Sequence, residues 1–560
     1  MPVIIVLALL TSSSSLASLW QDAGFYLDQG LSADSRVAIV KSIAASMERK
    51  YAFWEIKAGL LGKSSRDHLS TCANRERNIE SSTRLGFEER VRLCLGAFQD
   101  THLQSKAQVG RAFVWAGAEI GELNGEFRLQ RVSRTIQALH PLLKPGAKVL
   151  SVNGVPPEAW IAQLAPNISA SSLSYRRRAA LRAVLHRDFA YPLKASVRIL
   201  LEGGIVELPW WQTGINQRSD LRELFTARGI RHISALDGAI EERIKAGSEL
   251  VGFSEETPLP SPEPLAEFLT DRGEIGLRIG ELGGEKPACY VQLLTFSSRT
   301  WRPSFASRIS VSFETPLASF AAACERKAMP LILDLRFNPG GDPELARKVI
   351  EVFGRPGATQ GGLLFSARRT EHTEQLLESY LLGDGYPDTS GLLSPMRLRP
   401  EALRLAEKSR DTYLPWVSQE PILTPKEKGF SGPIVALISP FCISTCEIAA
   451  GLMASSKRAR IFGEPTNGTG GRFLEIGESP SASWRDDLHG TVSVKIPNTI
   501  FAVEPGTENG AEPLKSFRKW FHLLRENRPL LPDEPLSPSS EDPGNQGSDF
   551  LNSVRKVLAR

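Results

Sequence analysis

The sequence predicts a multidomain chain built round an α/β core. Two observations carry that expectation. The chain has 560 residues, too many for one hydrophobic core, so two to four domains are expected. Two short apolar runs, Leu331-Ile332-Leu333-Asp334-Leu335 and Ile434 to Ile438, each lead through a turn into a helix-forming stretch. That alternation of buried strand and helix marks an α/β core. The composition, 41% apolar and 23% charged, is that of an ordinary globular protein.

Along the chain, Val3 to Leu10 is an unbroken apolar run, followed by Thr11 to Ser15 and Leu16-Ala17. The small residues Ser15 and Ala17 suit a signal peptidase, so residues 1–17 read as an export signal. No Lys or Arg precedes the run, and the alternative is a buried N-terminal strand or helix. The run is too short for a bilayer, which needs about 20 residues, and no other stretch is long and apolar enough. Residues 19–105 are rich in helix formers and charge and predict a helical N-terminal region. Over 106–205 short apolar stretches alternate with turn signals at Asn124-Gly125, Pro145-Gly146 and Asn153-Gly154, the mark of a small β-rich module. Residues 206–273 are a mixed connection. The core is expected over 274–527, with a long polar insertion at 358–430. The tail 528–560 is loaded with Pro, Ser, Asp and Glu as far as Asp549, and disorder is expected there.

The net charge of +4 from 67 basic and 63 acidic residues describes a mixed solvated surface without a basic block, so no nucleic-acid partner is expected. The six cysteines, Cys72, Cys94, Cys289, Cys324, Cys442 and Cys446, form no CxxC pair and no cluster with zinc spacing. An exported chain could oxidise some of them, with Cys72 and Cys94 the best candidate pair. The alternative is six small buried hydrophobes.

Chemistry points to the segment Phe441-Cys442-Ile443-Ser444-Thr445-Cys446-Glu447. It joins the second buried strand to a helix, which puts Ser444 near the helix N-terminus. Free N–H groups there carry partial positive charge and suit an oxyanion. Taken alone, the segment reads first as a helix-capping serine. The turn Asn338-Pro339-Gly340-Gly341 after the first strand adds backbone N–H groups that can approach a ligand, although such turns also occur as plain turns.

Together these segments resemble a known family. Leu333-Asp334-Leu335-Arg336-Phe337-Asn338-Pro339-Gly340-Gly341 looks like the "DLRxNPGG" signature of the carboxy-terminal processing (tail-specific) peptidases. Ser444-Thr445-Cys446-Glu447-Ile448 is similar to that family's nucleophile motif, and Gly463-Glu464-Pro465-Thr466 to its "GEPT" turn. The resemblance covers 274–515 and implies a ClpP/crotonase-like α/β core. Gly146 to Gly154 is similar to a "GDxIxxVNG" strand and implies that 106–205 is a PDZ-like module. Members with a Ser/Lys dyad carry "GEPTxGKG"; here Thr469 stands where the lysine would be, and Lys457 sits in a surface-like basic run. A second, tricorn-like branch uses serine, histidine and glutamate. Its "DTH"-type motif is matched by Asp100-Thr101-His102, and its "ENxGVxP" motif by Glu508-Asn509-Gly510-Ala511-Glu512-Pro513, with Glu504 nearby.

The resemblance therefore implies an exported, periplasmic or extracellular serine endopeptidase. Ser444 would be the nucleophile, His102 the base and Glu508 its orienting acid; Gly340, Gly341 and Thr445 would supply oxyanion N–H groups. The implied partner is an extended polypeptide. No metal or organic cofactor is implied. The rival reading is a peptide-binding protein that kept the fold and lost catalysis.

Overall fold

The computed structural model describes residues 31–80, 84–107, 113–123, 125–188, 196–213, 231–232, 250–253, 257–261, 263–304, 309–358, 362–371, 373–374, 411–414, 417–418, 429–472, 481–486, 490–497, 499–503, 526–536 and 546–558. The expected export signal, Glu504, Glu508 and most of the stretch 358–430 lie outside these residues. Among the described residues no helix is long and apolar enough to cross a membrane.

The N-terminal part contains three longer helices, α1 (Ala33–Lys50), α2 (Ser65–Arg77) and α3 (Arg84–Gly96). Serines open the first two: Ser32 accepts from the Ser35 N–H and Ser64 from the Asp67 N–H, satisfying donors that a helix start leaves bare. Their apolar residues, among them Val40, Ile43, Met47, Leu69 and Phe87, form one buried cluster with Val494, Ile496 and Ile500 from far along the chain. A disulfide between Cys72 and Cys94 ties α2 to α3. After α3 the chain enters strand β1 (Gln104–Ala107).

A middle module follows, with β2 (Ala118–Leu123), β3 (Glu126–Ser133), β4 (Val149–Val152), helix α4 (Leu173–Leu185), β5 (Ser196–Leu201) and β6 (Gly204–Pro209). β2 pairs antiparallel with β3, and β5 lies between β4 and β6. The β5–β6 hairpin continues to Pro209, past the boundary expected at 205, because Val206 and Leu208 alternate into the module's core.

The core is a nine-stranded mixed sheet. Its antiparallel side holds β7 (Ala266–Leu269), β8 (Ile275–Leu282), β9 (Ala288–Leu293), β10 (Thr300–Pro303) and β11 (Val311–Ser312). Helix α5 (Glu314–Arg326) leads to β12 (Leu331–Asp334), and α6 (Pro343–Phe353) follows. β13 (Leu363–Ser366) belongs to a small separate sheet. β14 (Ile434–Ile438), α7 (Thr445–Ser455), β15 (Arg460–Gly463), β16 (Gly490–Lys495), β17 (Thr499–Val503) and β18 (Glu534–Pro535) come next. Helix α8 (Gln546–Leu558) closes the chain. The sheet order is β11-β10-β7-β8-β9-β12-β14-β15-β18, and β9, β12, β14, β15 and β18 run parallel.

The apolar runs read from sequence are these inner strands. Leu331, Leu333, Ile434, Ala436 and Ile438 face the helix layer α5–α7. Ile332, Val435 and Leu437 face the other side, where Phe550, Leu551 and Val554 of α8 cover them. A strand buried on both faces is apolar nearly throughout, hence these runs; the exception, Asp334 at the end of β12, is bonded to Tyr290 and Arg336. The second disulfide, Cys289–Cys324, joins β9 to α5. The tail thus departs from the expected disorder on both sides of 537–545, which lie outside the described residues. Glu534–Pro535 form the edge strand β18, and α8 caps the far face. The Pro/Ser-rich composition conceals three apolar residues spaced to lie on one helix face.

Candidate active site

Parallel strands end together at one edge of the sheet, and loops there are the usual place for ligands in open α/β folds. β14 ends at Ile438, and the chain turns through Ser439 to Ser444 before α7. Ser444 has φ +57° and ψ −118°, a left-handed conformation that side chains seldom adopt. Such a turn thrusts its side chain out of the backbone path. The first two turns of α7 are buried and mostly small or apolar, including Cys446, Ile448, Ala449 and Ala450, so the helix packs deep while Ser444 stands at its rim. Among the described residues all six cysteines are paired, and the third disulfide, Cys442–Cys446, spans Ser444.

Glu447, the acidic residue of the nucleophile motif, faces inward. Its carboxylate accepts from the Ser444 N–H (3.3 Å), the Thr466 hydroxyl (2.5 Å) and the N–H groups of Gly468 (2.7 Å) and Thr469 (2.8 Å). Burial pushes its pKa up, and the hydrogen bonds pull against that shift. The Gly463–Gly470 loop is therefore folded round Glu447. Thr469, at the dyad lysine's position, is itself buried within it. Lys457 is exposed at the C-terminal end of α7, the opposite end of that helix from Ser444.

The turn after β12 packs directly on the serine turn. A Cβ on Gly340 would lie 2.7 Å from the Ile443 carbonyl and 2.9 Å from the Thr445 nitrogen, and one on Gly341 would overlap Phe296 backbone at 2.3 Å. With φ of +91° and +143°, both positions require glycine. Asn338 fixes the turn: its amide donates to the Leu293 carbonyl (2.9 Å), its Oδ1 accepts the Gly340 N–H (2.9 Å), and its carbonyl accepts the Ile443 N–H (3.0 Å). The Gly340 N–H, an expected oxyanion donor, is thereby engaged inside its own turn. Asp334 and Arg336 of the same motif point away, Arg336 lying between the rings of Phe253 and Phe550 while bonded to Asp334. They anchor α8.

His102 arrives from the N-terminal part, on the turn between α3 and β1. β1 pairs antiparallel with β16 (Gln104 opposite Lys495), which ties this turn to the core. The buried Asp100 carboxylate accepts the His102 N–H (2.8 Å) and the Tyr51 hydroxyl (2.9 Å), and Thr101 donates to Asn467 Oδ1 (2.8 Å). Held this way, His102 Nε2 lies 3.1 Å from Ser444 Oγ, although 342 positions separate the two residues. That is within reach for proton transfer. Desolvation pushes the imidazole pKa down to about 4, against the pull of the Asp100 carboxylate.

A second buried acid near this cluster is Glu526. It is buried, ion-paired with the fully buried Lys57, and accepts from the Ser171 hydroxyl (3.1 Å) and the Gly470 N–H (2.8 Å). Gly471, next along, sits against the ring: a Cβ there would lie 3.4 Å from His102 Nδ1. Lys57 also donates to Asn527 Oδ1 (2.6 Å) and the Gln99 carbonyl (3.2 Å). Burial and the neighbouring Asp100 push the Glu526 pKa up, against the pull of Lys57. Glu526 was not singled out from sequence; Glu508, which was, lies outside the described residues. In Glu526-Asn527-Arg528-Pro529-Leu530-Leu531-Pro532 the closing proline stands six places after the acid, as in "ENxGVxP"; after Glu508 it stands five places on.

Residues 288–474 match the model of peptidase family S41. No curated protein matches the chain. Among solved structures, mature CPAF superposes with a TM-score of 0.67 at 15% identity, over 94% of this chain and 97% of that one. Mature CPAF complexed with lactacystin does so with a TM-score of 0.65 at 15% identity, over 94% and 98%. At such identity the likeness is one of fold. The family match takes in Ser444, both motif turns and the loop round Glu447, and leaves His102 and Glu526 outside it. Residues 288–474 thus resemble an S41 peptidase domain; the chain has a mixed α/β multidomain fold and is a serine-type peptidase.

Proposed function

We propose that this protein is an exported endopeptidase that cleaves extended polypeptides through an acyl-enzyme on Ser444. The observation that carries the reading is the 3.1 Å approach of His102 Nε2 to Ser444 Oγ. His102 takes the serine proton as Oγ attacks the scissile carbonyl, then returns it to the leaving amine. Water repeats the cycle in reverse order of leaving group and releases the acid product. Asp100, whose carboxylate accepts the His102 N–H, provides negative charge that stabilises the imidazolium. The N–H groups of Gly341 and Thr445, which have no hydrogen-bond partner among the described residues, receive the oxyanion. An extended substrate binds by main-chain hydrogen bonds, as strand additions do. Export is supported by the three disulfides, which persist in oxidising compartments.

The test is labelling with a fluorophosphonate and cleavage of an unfolded protein. Wild type should label and cleave; Ser444→Ala should do neither and His102→Ala should be slowed by about 10² or more. An unlabelled wild type, or a Ser444→Ala variant that cleaves normally, overturns the reading and favours a peptide-binding role.

A further inference from the structure

We propose that the Cys442–Cys446 disulfide is a positioning clamp that holds the nucleophile turn in its reactive shape. The proposal rests on Ser444 being the nucleophile. The bond joins the residues two before and two after Ser444, with their Cα atoms 5.3 Å apart. Between them lie the left-handed Ser444 backbone and the Thr445 N–H, the proposed oxyanion donor. A non-glycine residue with φ near +57° persists only when its surroundings over-determine it. Three restraints converge here: the Glu447 carboxylate on the Ser444 N–H, the Gly340 turn against Ile443 and Thr445, and the disulfide.

Two features separate this bond from an ordinary stabilising one. Both cysteines are wholly buried, so as thiols they would fill nearly the same space; what the bond adds is a fixed backbone. The sequence separation is 4, against 22 for Cys72–Cys94 and 35 for Cys289–Cys324. A cross-link constrains the unfolded chain less as its loop shortens. Of the three bonds, this one therefore does least for global stability, and its effect is concentrated on the serine.

The rate of fluorophosphonate labelling per folded molecule tests this, with kcat and KM measured beside thermal stability. Cys442→Ala/Cys446→Ala should label and turn over about 100-fold more slowly, as misplacement by an ångström costs, with KM little changed. Cys289→Ala/Cys324→Ala should lose more thermal stability and keep its labelling rate. If the first variant fails to fold, wild type is opened with a dithiol in mild urea. The dithiol's sulfurs are oxidised to a disulfide, the protein's are reduced to two thiols, and alkylation mapped by mass spectrometry counts molecules open at Cys442 and Cys446. Those molecules should label slowly, and reoxidation should restore the rate. Labelling within about twofold of wild type by the folded variant or the opened protein overturns the clamp and leaves the Ser444 reading intact. A wild type that does not label at all sinks both.

Discussion

At the residue scale, the acid limb of activity separates two views of His102. A solvent-exposed imidazole would protonate near 6.5. The surrounding protein holds this one down to about 4, so the base stays neutral well below pH 6. The pH profile of kcat/KM should accordingly stay flat through pH 6 and fall only toward pH 4, with folding checked by circular dichroism; a half-point at 6 to 7 would contradict the burial argument. The same shift has a stability consequence. Between about 6.5 and 4 the unfolded chain binds a proton that the folded one refuses, so this contribution is complete above pH 6.5 and is lost as pH falls through that window. Ser444→Ala, by contrast, removes one oxygen at a rim and should leave stability within about 1 kcal/mol while abolishing turnover. Lys57 behaves differently again. It is the buried counter-charge to Glu526, and Lys57→Met should cost about 3 to 5 kcal/mol in urea denaturation near neutral pH. That cost should shrink on acidification as the stranded Glu526 takes up a proton, its pKa being already raised by burial.

At the scale of elements, what the sequence makes legible depends on whether the signal is local. β12 and β14 are almost wholly apolar because both their faces are covered, and the turn motifs after them are short and contiguous, so both strands and both turns could be read. His102 could be read because its motif is local too. The orienting acid was harder: two Glu-Asn pairs compete, and Glu508 lies outside the described residues while Glu526 pairs with Lys57. α8 was illegible for a physical reason. Its helix signal is five apolar side chains within 13 residues, behind a stretch whose composition speaks for disorder, and the partners of Phe550, Leu551 and Val554, namely Ile332, Val435 and Leu437, lie about two hundred and one hundred positions away. Burial of that kind should be measurable. Phe550, 2% exposed and 4.9 Å from the Arg336 guanidinium, should cost about 3 to 5 kcal/mol as Phe550→Ala. A loss under about 1 kcal/mol, the level of a surface change, would mean that α8 does not cover the sheet in solution.

At the scale of the whole molecule, the candidate site is a junction of three regions, and one of its seams is where the middle module meets the core. Helix α4 makes that contact. Arg178 pairs with Glu464 of the loop round Glu447. Arg182 lies 5.2 Å from the Phe337 ring centroid and 4.8 Å from that of Phe441. Those two aromatics belong to the two turns that build the site: Phe337 directly precedes Asn338, and Phe441 stands three residues before Ser444. A cation between two rings contributes about 0.5 to 2 kcal/mol, too little to govern the fold. It joins two turns whose separation sets the place of the oxyanion donors, however, and catalysis is more sensitive to such placement than folding is. Arg182→Ala should therefore lower kcat by about 10-fold with a small change in thermal stability. Arg177, five positions earlier on the same helix, pairs with Glu122 and Glu158 within the module. Arg177→Ala should leave kcat unchanged and stability within about 0.5 kcal/mol. Equal activity losses in both variants would mean that α4 acts only by holding the module together; a loss confined to Arg182→Ala would place the coupling at the two aromatic turns.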